Sequence, residues 1–181
     1  MRLAIFTTSR AEFGILLPLI KELNQSKKFK VLLFVGGGHL HKYSDSLNEI
    51  IKSKINIKRK FKYKVKSDKE TDIVIAISSA IKKINNIFKN EIFDAVLVLG
   101  DRYELISILS NCLIHKKPLI HLSGGEITTG SIDNQVRNMV SKVASYHFVS
   151  SELYKKNLIR MNEKKRNIFN TGALNVDNMF N

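Results

Sequence analysis

Ala95-Val96-Leu97-Val98-Leu99-Gly100-Asp101-Arg102-Tyr103-Glu104 decides the reading of the fold. Five apolar residues stand in a row without alternation. A strand of that kind is buried on both faces, as in parallel sheets covered by helices on either side. Glycine ends the run and an acid follows at once. In an open α/β sheet, ligands bind outside the carboxyl ends of the strands, so Asp101 points into the crevice where chemistry would occur. An ordinary helix start, with Asp101 as the N-cap, would produce the same local pattern.

Working outward, the same alternation of short apolar runs and longer amphipathic ones recurs along the chain. Leu3 to Thr7, Val31 to Val35, part of Ile55 to Val65, Leu119 to His121, His147 to Val149 and Ile168 to Asn170 read as strands. Helical spacing predicts helices over residues 12–24, 44–54, 73–88, 103–115, 132–144 and 152–161. Repeated strand–helix units with fully apolar strands give an α/β class, a Rossmann-like, doubly wound parallel sheet.

Composition agrees with a folded domain. The chain has 181 residues, 44% hydrophobic and 25% charged. That is enough apolar material for a core and one domain's worth of length, or slightly more. One cysteine, Cys112, excludes an internal disulfide framework and a multi-cysteine zinc site. No uncharged apolar stretch is long enough to span a bilayer. Met1-Arg2 leads directly into a strand, with no small-residue cleavage site, so the expectation is a cytoplasmic protein. The charge is +14, and 23 of the 30 basic residues are lysine. Lysines on helix faces and along Lys52 to Lys69 fit a solvated surface. A functional basic face toward nucleic acid or an anionic surface is the competing reading.

The strand ends carry the candidate site. Thr7-Thr-Ser-Arg-Ala-Glu-Phe-Gly14 places Arg10 and Glu12 at a helix start, which suits an anion. Ser9 and Glu12 would equally form a helix cap. Gly36-Gly-Gly38 is a closely approaching backbone but lacks both the G-x-G-x-x-G spacing and a P-loop lysine. His39 and His41 beside it read as surface residues. His121-Leu-Ser-Gly-Gly-Glu126 follows another strand, and Gly124 and Gly125 would let backbone amides approach a ligand. Asp133 and Arg137 are spaced i,i+4, as a helix-face ion pair. If Asp101, Glu126 and Asp133 converge on one sheet edge, their mutual repulsion favours general acid/base work.

Taken in order, Thr8-Ser-Arg-Ala-Glu-Phe-Gly14, Val98-Leu-Gly-Asp-Arg-Tyr-Glu104, His121-Leu-Ser-Gly-Gly-Glu126, Ile132-Asp-Asn-Gln-Val-Arg137 and Asn170-Thr-Gly-Ala-Leu-Asn-Val-Asp177 carry a resemblance. The set resembles the hydrolysing UDP-N-acetylglucosamine 2-epimerases of sialic and legionaminic acid synthesis. The Ser-Arg-Ala-Glu and Gly-Gly-Glu forms favour that branch over the non-hydrolysing one. The resemblance implies two Rossmann-like domains facing across a cleft, as in GT-B glycosyltransferases. This chain would be the N-terminal domain only, with residues 1–172 as the domain, 173–181 as the start of the interdomain crossover and the second domain absent.

The implied reaction removes UDP from C1 of a UDP-sugar with loss of the C2 proton. Water then adds to the 2-acetamidoglucal and gives a free 2-epimer such as N-acetylmannosamine. Asp101, Glu126 and Asp133 align with the catalytic acids. Arg10, Glu12, Arg102, Ser123, Gly124, Gly125 and Arg137 form the implied substrate-binding set. No metal and no cofactor is implied. The implied partners are the UDP-sugar, the chain's own second domain and further copies of the full-length protein, with no membrane or nucleic acid. Asn134 and Asn138 depart from the pattern, standing where many members carry an acid and a histidine, so the resemblance bears on the fold more firmly than on the substrate. Half of a GT-B glycosyltransferase and a basic, non-enzymatic binding domain are the alternatives. A chain cut from a second domain would bare apolar surface at Leu174, Val176, Met179 and Phe180.

Overall fold

Each predicted apolar run becomes a strand of one parallel sheet in the computed structural model, which describes residues 1–41 and 44–177. The strands are β1 (Arg2–Thr7), β2 (Lys30–Gly36), β3 (Ile57–Phe61), β4 (Ala95–Leu99), β5 (Leu119–Leu122), β6 (Tyr146–Val149) and β7 (Ile168–Asn170). The helices are α1 (Arg10–Gln25), α2 (Ser46–Lys52), α3 (Glu70–Asn90), α4 (Leu105–Ile114), α5 (Asp133–Val143), α6 (Glu152–Arg160) and a short α7 (Leu174–Asp177). The sheet order is β3-β2-β1-β4-β5-β6-β7, and every pair is parallel. The order reverses between β1 and β4. That junction is the switch point of a doubly wound sheet.

The uninterrupted apolar strands feed two cores by period-two alternation. Ala4, Phe6, Phe34, Val96 and Val98 face α3, α4 and α5. Leu3, Ile5, Leu33, Leu97 and Leu99 face α1 and the buried Ile50 of α2. Phe6 is the hub of the first core. Its ring lies 4.9 Å from Phe34, 5.8 Å from Phe61 and 6.2 Å from Phe88, centroid to centroid.

Helix boundaries differ from expectation by a few residues, as fraying ends do. Three short elements among the described residues went unforeseen: 3₁₀ turns at Gly37–Leu40 and Lys165–Asn167, and α7. β3 is the edge strand, and Lys58, Arg59 and Lys60 on it are exposed. Lys58 and Arg59 pair with Glu91, at 3.2 and 2.9 Å. At the C-terminal end, Leu174 is half-buried against the second core and Val176 is 44% exposed, whereas Met179 and Phe180 lie outside the described residues. No helix among the described residues is long and apolar enough to cross a membrane.

Phe6→Ala should cost about 3–5 kcal/mol, because the vacated hub is walled by rings that cannot collapse into it. Urea unfolding should show a lower midpoint with an unchanged slope. A loss below about 1 kcal/mol would mean that Phe6 is not the hub of the first core.

Candidate active site at the switch point

The loop after β1 is built as a helix cap. Ser9 Oγ accepts from the Glu12 amide at 3.3 Å. Glu12 Oε2 in turn accepts from the amides of Thr8 and Ser9, at 2.7 and 3.1 Å. This capping box turns the Glu12 carboxylate inward. Burial raises its pKa from the ordinary 4.5, with the neighbouring Glu104 adding to the effect and the Thr8 amide opposing it. Glu12 therefore shapes the loop and offers no open face to a substrate. Arg10 lies on the rim. It meets both Glu49 oxygens, at 2.9 and 2.5 Å, with its side chain 74% exposed. An ion pair that exposed is worth up to about 1 kcal/mol and leaves the arginine available.

His39 is a correction to the surface reading, because it is fully buried. Its Nε2 lies 2.9 Å from Thr7 Oγ1, and its Nδ1 meets Ser46 Oγ. Burial pulls its pKa from 6.5 down to about 4.

After β4, Gly100 takes a positive φ of 84° and Asp101 turns toward α5. α4 begins only at Leu105, with Glu104 at the cap position, so Asp101 is not the cap. Arg102 Nη2 donates to Glu104 Oε1 at 2.8 Å while nearly half of its side chain stays exposed. Glu104 itself is buried.

The loop after β5 supplies the second acid. Gly124 and Gly125 are both buried, and neighbouring groups leave no room for a side chain at either. A Cβ at Gly124 would sit 3.0 Å from His121 Nδ1 and 3.1 Å from Ser141 Oγ. At Gly125, φ is +76° and a Cβ would lie 2.4 Å from the backbone oxygen of Tyr154. Ser123 adopts φ 62° and is half-buried at the mouth of this turn.

Arg137 gathers these pieces. It is buried on α5, its side chain 7% exposed. Its Nη2 pairs with Asp101 Oδ2 and stands 3.9 Å from Glu126 Oε2. Its Nη1 donates to Thr128 Oγ1 at 3.0 Å. Glu126 also accepts from Ser150 Oγ at 3.0 Å. The expected Asp133–Arg137 helix pair does not form, since Arg137 is taken by acids from two other loops. Asp133 heads α5, half-buried, with its amide donating to Ser131 Oγ at 3.1 Å and no ion pair among the described residues. The structure thus joins Asp101, Glu126 and Arg137 in one cluster and places Asp133 one helical turn from that arginine. A shared cation answers the repulsion expected between the acids. Thr128, Ser141 and Ser150 were missed from sequence. Of these, Ser141 alone carried a signal, one turn beyond Arg137 on the same helix face.

Comparison with known proteins places the chain in a family. The family model described as UDP-N-acetylglucosamine 2-epimerase matches residues 21–181. The chain belongs to that family. Among epimerase relatives, the hydrolysing GDP/UDP-N,N'-diacetylbacillosamine 2-epimerase of Campylobacter jejuni is 34% identical over 173 residues, covering 96% of this chain and 45% of its own length. The UDP-GlcNAc 2-epimerase of Neisseria meningitidis, solved with UDP-GlcNAc bound, superposes with a TM-score of 0.85 at 18% identity, over 99% of this chain and 49% of that one. A lipopolysaccharide outer core galactosyltransferase shares the fold more loosely, with a TM-score of 0.62 at 13% identity, over 93% of this chain and 44% of its own. The chain spans just under half the length of the relatives it matches. The fold is that of one half of an epimerase-type GT-B enzyme.

Gly125→Ala should destabilise this epimerase-family chain by at least about 2 kcal/mol, because a positive φ and a backbone clash act together. A melting temperature unchanged within a degree or so would contradict the packing described.

Acid should also loosen the chain. Burial holds His39 and His121 neutral, lowering His39 from 6.5 to about 4 and His121 to about 3. The unfolded chain binds protons near 6.5 that the folded chain refuses, so this stability is complete above about 6.5 and is lost as pH falls toward and through the folded values. Glu12, raised above 4.5, acts in the opposite sense and offsets part of the loss. Thermal melts should fall steadily between about pH 6.5 and pH 4, and His39→Gln should flatten that slope. Melting temperatures independent of pH across the window would refute the assignment.

Proposed function

We propose that residues 1–181 supply the acid-bearing half of a hydrolysing UDP-sugar 2-epimerase. The observation that carries the reading is the convergence of Asp101 and Glu126 on buried Arg137 at the switch point, with Asp133 at the head of the same helix. The likeness to a hydrolysing diacetylbacillosamine 2-epimerase supports the reaction type.

In the proposed reaction a carboxylate takes the C2 proton while the C1–oxygen bond to UDP breaks. The electron pair of the C2–H bond becomes the C1–C2 double bond of a 2-acetamidoglucal, and UDP leaves. Water then adds across that double bond, its oxygen to C1 and a proton to the opposite face of C2. The product is the free, inverted sugar. Arg137 sets the geometry for this work. It clamps Asp101 by direct contact and holds Glu126 more loosely, so Glu126 is the freer of the two to exchange a proton. The Ser150 hydroxyl keeps Glu126 aimed. Arg10, on the rim with most of its side chain in solvent, is placed to meet the nucleotide phosphates. Arg102, on the loop after β4 with nearly half of its side chain exposed, is a second cation at the strand ends for the same anion. Ser123 completes the substrate-facing set.

The same proposal takes residues 1–172 as one domain and the following segment as the start of a crossover to a partner domain. α7 packs against α1 and begins that path. The nucleotide sugar places the work in the cytoplasm, and the complete enzyme acts as a homo-oligomer. Remote contacts to UDP drive the chemistry at the sugar, so residues 1–181 alone should turn over UDP-N-acetylglucosamine very slowly.

In the complete enzyme, Asp101→Asn, Glu126→Gln and Asp133→Asn should each lower the release of free sugar by at least about 100-fold. Asn138→His should leave activity intact or raise it. Near-normal release by all three amide variants would move the proton chemistry to the other half of the cleft.

A further inference from the structure

His121 is buried, belongs to none of the groups assigned above, and touches both sides of the site. Its Nε2 lies 2.8 Å from the Gly100 carbonyl oxygen, and its Nδ1 lies 3.0 Å from Ser141 Oγ. A carbonyl can only accept, so Nε2 carries the proton and donates it. In the neutral ring Nδ1 is then an acceptor and takes the Ser141 hydroxyl proton. The partners thus select one tautomer.

These two bonds have a definite geometric effect. Gly100 directly precedes Asp101, and its amide is already bonded to the Leu122 carbonyl at 3.1 Å. With its carbonyl held by His121 as well, Gly100 is anchored through both peptide groups that flank it, and the one leading into Asp101 is held by its carbonyl. Ser141 lies one turn beyond Arg137 on α5. A closed frame results: His121 to Gly100, Asp101 to Arg137, and along α5 to Ser141 and back to His121. Glu126 leaves the same strand end, five residues after His121. Gly124 completes the frame, because a Cβ there would crowd both His121 Nδ1 and Ser141 Oγ.

We infer that His121 is the positioning residue of the site, a neutral imidazole that sets the distance between the Asp101 loop and the Arg137 helix. It does not touch substrate and transfers no proton. Groups facing it from neighbouring elements keep it neutral. Burial dominates, and His147 on β6 and Arg137 on α5 both disfavour a second proton, while the Gly100 carbonyl opposes them only in part. The proposal rests on the 2-epimerase reading for its kinetic consequence, but not for its structural one.

Side-chain length allows the two bonds to be separated. Gln at this position can place its amide nitrogen where Nε2 stands and keep the bond to Gly100. Asn is too short for that and keeps only the partner for Ser141. In the complete enzyme, His121→Gln should hold kcat within about threefold, whereas His121→Asn and Gly124→Ala should lower kcat by about tenfold to a hundredfold with KM changed by less than about threefold, the signature of reacting groups displaced by a fraction of an ångström. Equal kcat for Asn and wild type, or an equal fall for Gln and Asn, would overturn the inference, as would losses confined to melting temperature.

A second readout needs no activity. Nitrogen NMR of the imidazole in this chain should show the Nε2–H form unchanged between about pH 5 and pH 8. The Nδ1–H form, or titration within that window, would overturn it as well. If the complete enzyme released no sugar from any UDP-sugar, the functional reading would fail while the NMR result still decided the role of His121 in the frame.

Discussion

A guanidinium keeps its charge at any working pH, so burying Arg137 obliges the fold to bring acids to it. Asp101 comes from the loop after β4 and Glu126 from the loop after β5, which are neighbours in the sheet. The convergence of those loops is thus an electrostatic requirement of the folded state, and the candidate site is its by-product. Removing either acid leaves a buried charge poorly compensated, which couples the local stability of this edge to the groups proposed for chemistry.

The switch-point edge divides into two polar systems with different tasks. Beneath β1 and β2, Ser9, Glu12, Thr7, His39 and Ser46 satisfy one another almost completely. That network closes the interior and defines where α1 starts. Beneath β4 and β5, the network around Arg137 is only partly closed, since its acids and Thr128 stay half-exposed and its own Nε has no partner among the described residues. Incomplete satisfaction is what a site that must receive a ligand requires. The division explains why two strand-end motifs of similar composition, one at Glu12 and one at Glu126, have different fates.

Fold class was legible because uninterrupted runs such as Ala95 to Leu99 have few alternatives in a chain of this size. Acids at strand ends were legible for the same reason, since topology alone carries them to one edge. Orientation was not. Whether Glu12 faces in or out depends on a capping box, and whether Arg137 pairs with Asp133 or with Asp101 depends on which loops reach it. Both are tertiary contests that i,i+4 spacing cannot decide. The burial of His39 was hidden because the 3₁₀ turn that folds it inward has no periodicity to read. The packing demand at Gly124 and Gly125 was not legible because a missing side chain looks identical in sequence whether the space is needed by a ligand or by neighbouring protein atoms.

The edge strand β3 carries one further consequence. An open sheet presents unpaired amides and carbonyls at its borders, a template for stacking against another chain. Here one border displays Lys58, Arg59 and Lys60 to solvent, and the other is a strand of only three residues. A second molecule approaching edge-on would meet like charge on one side and too little backbone on the other. The positive charge on that border acts in this respect as a guard against edge-on stacking, because bringing two such borders together sets lysine against lysine.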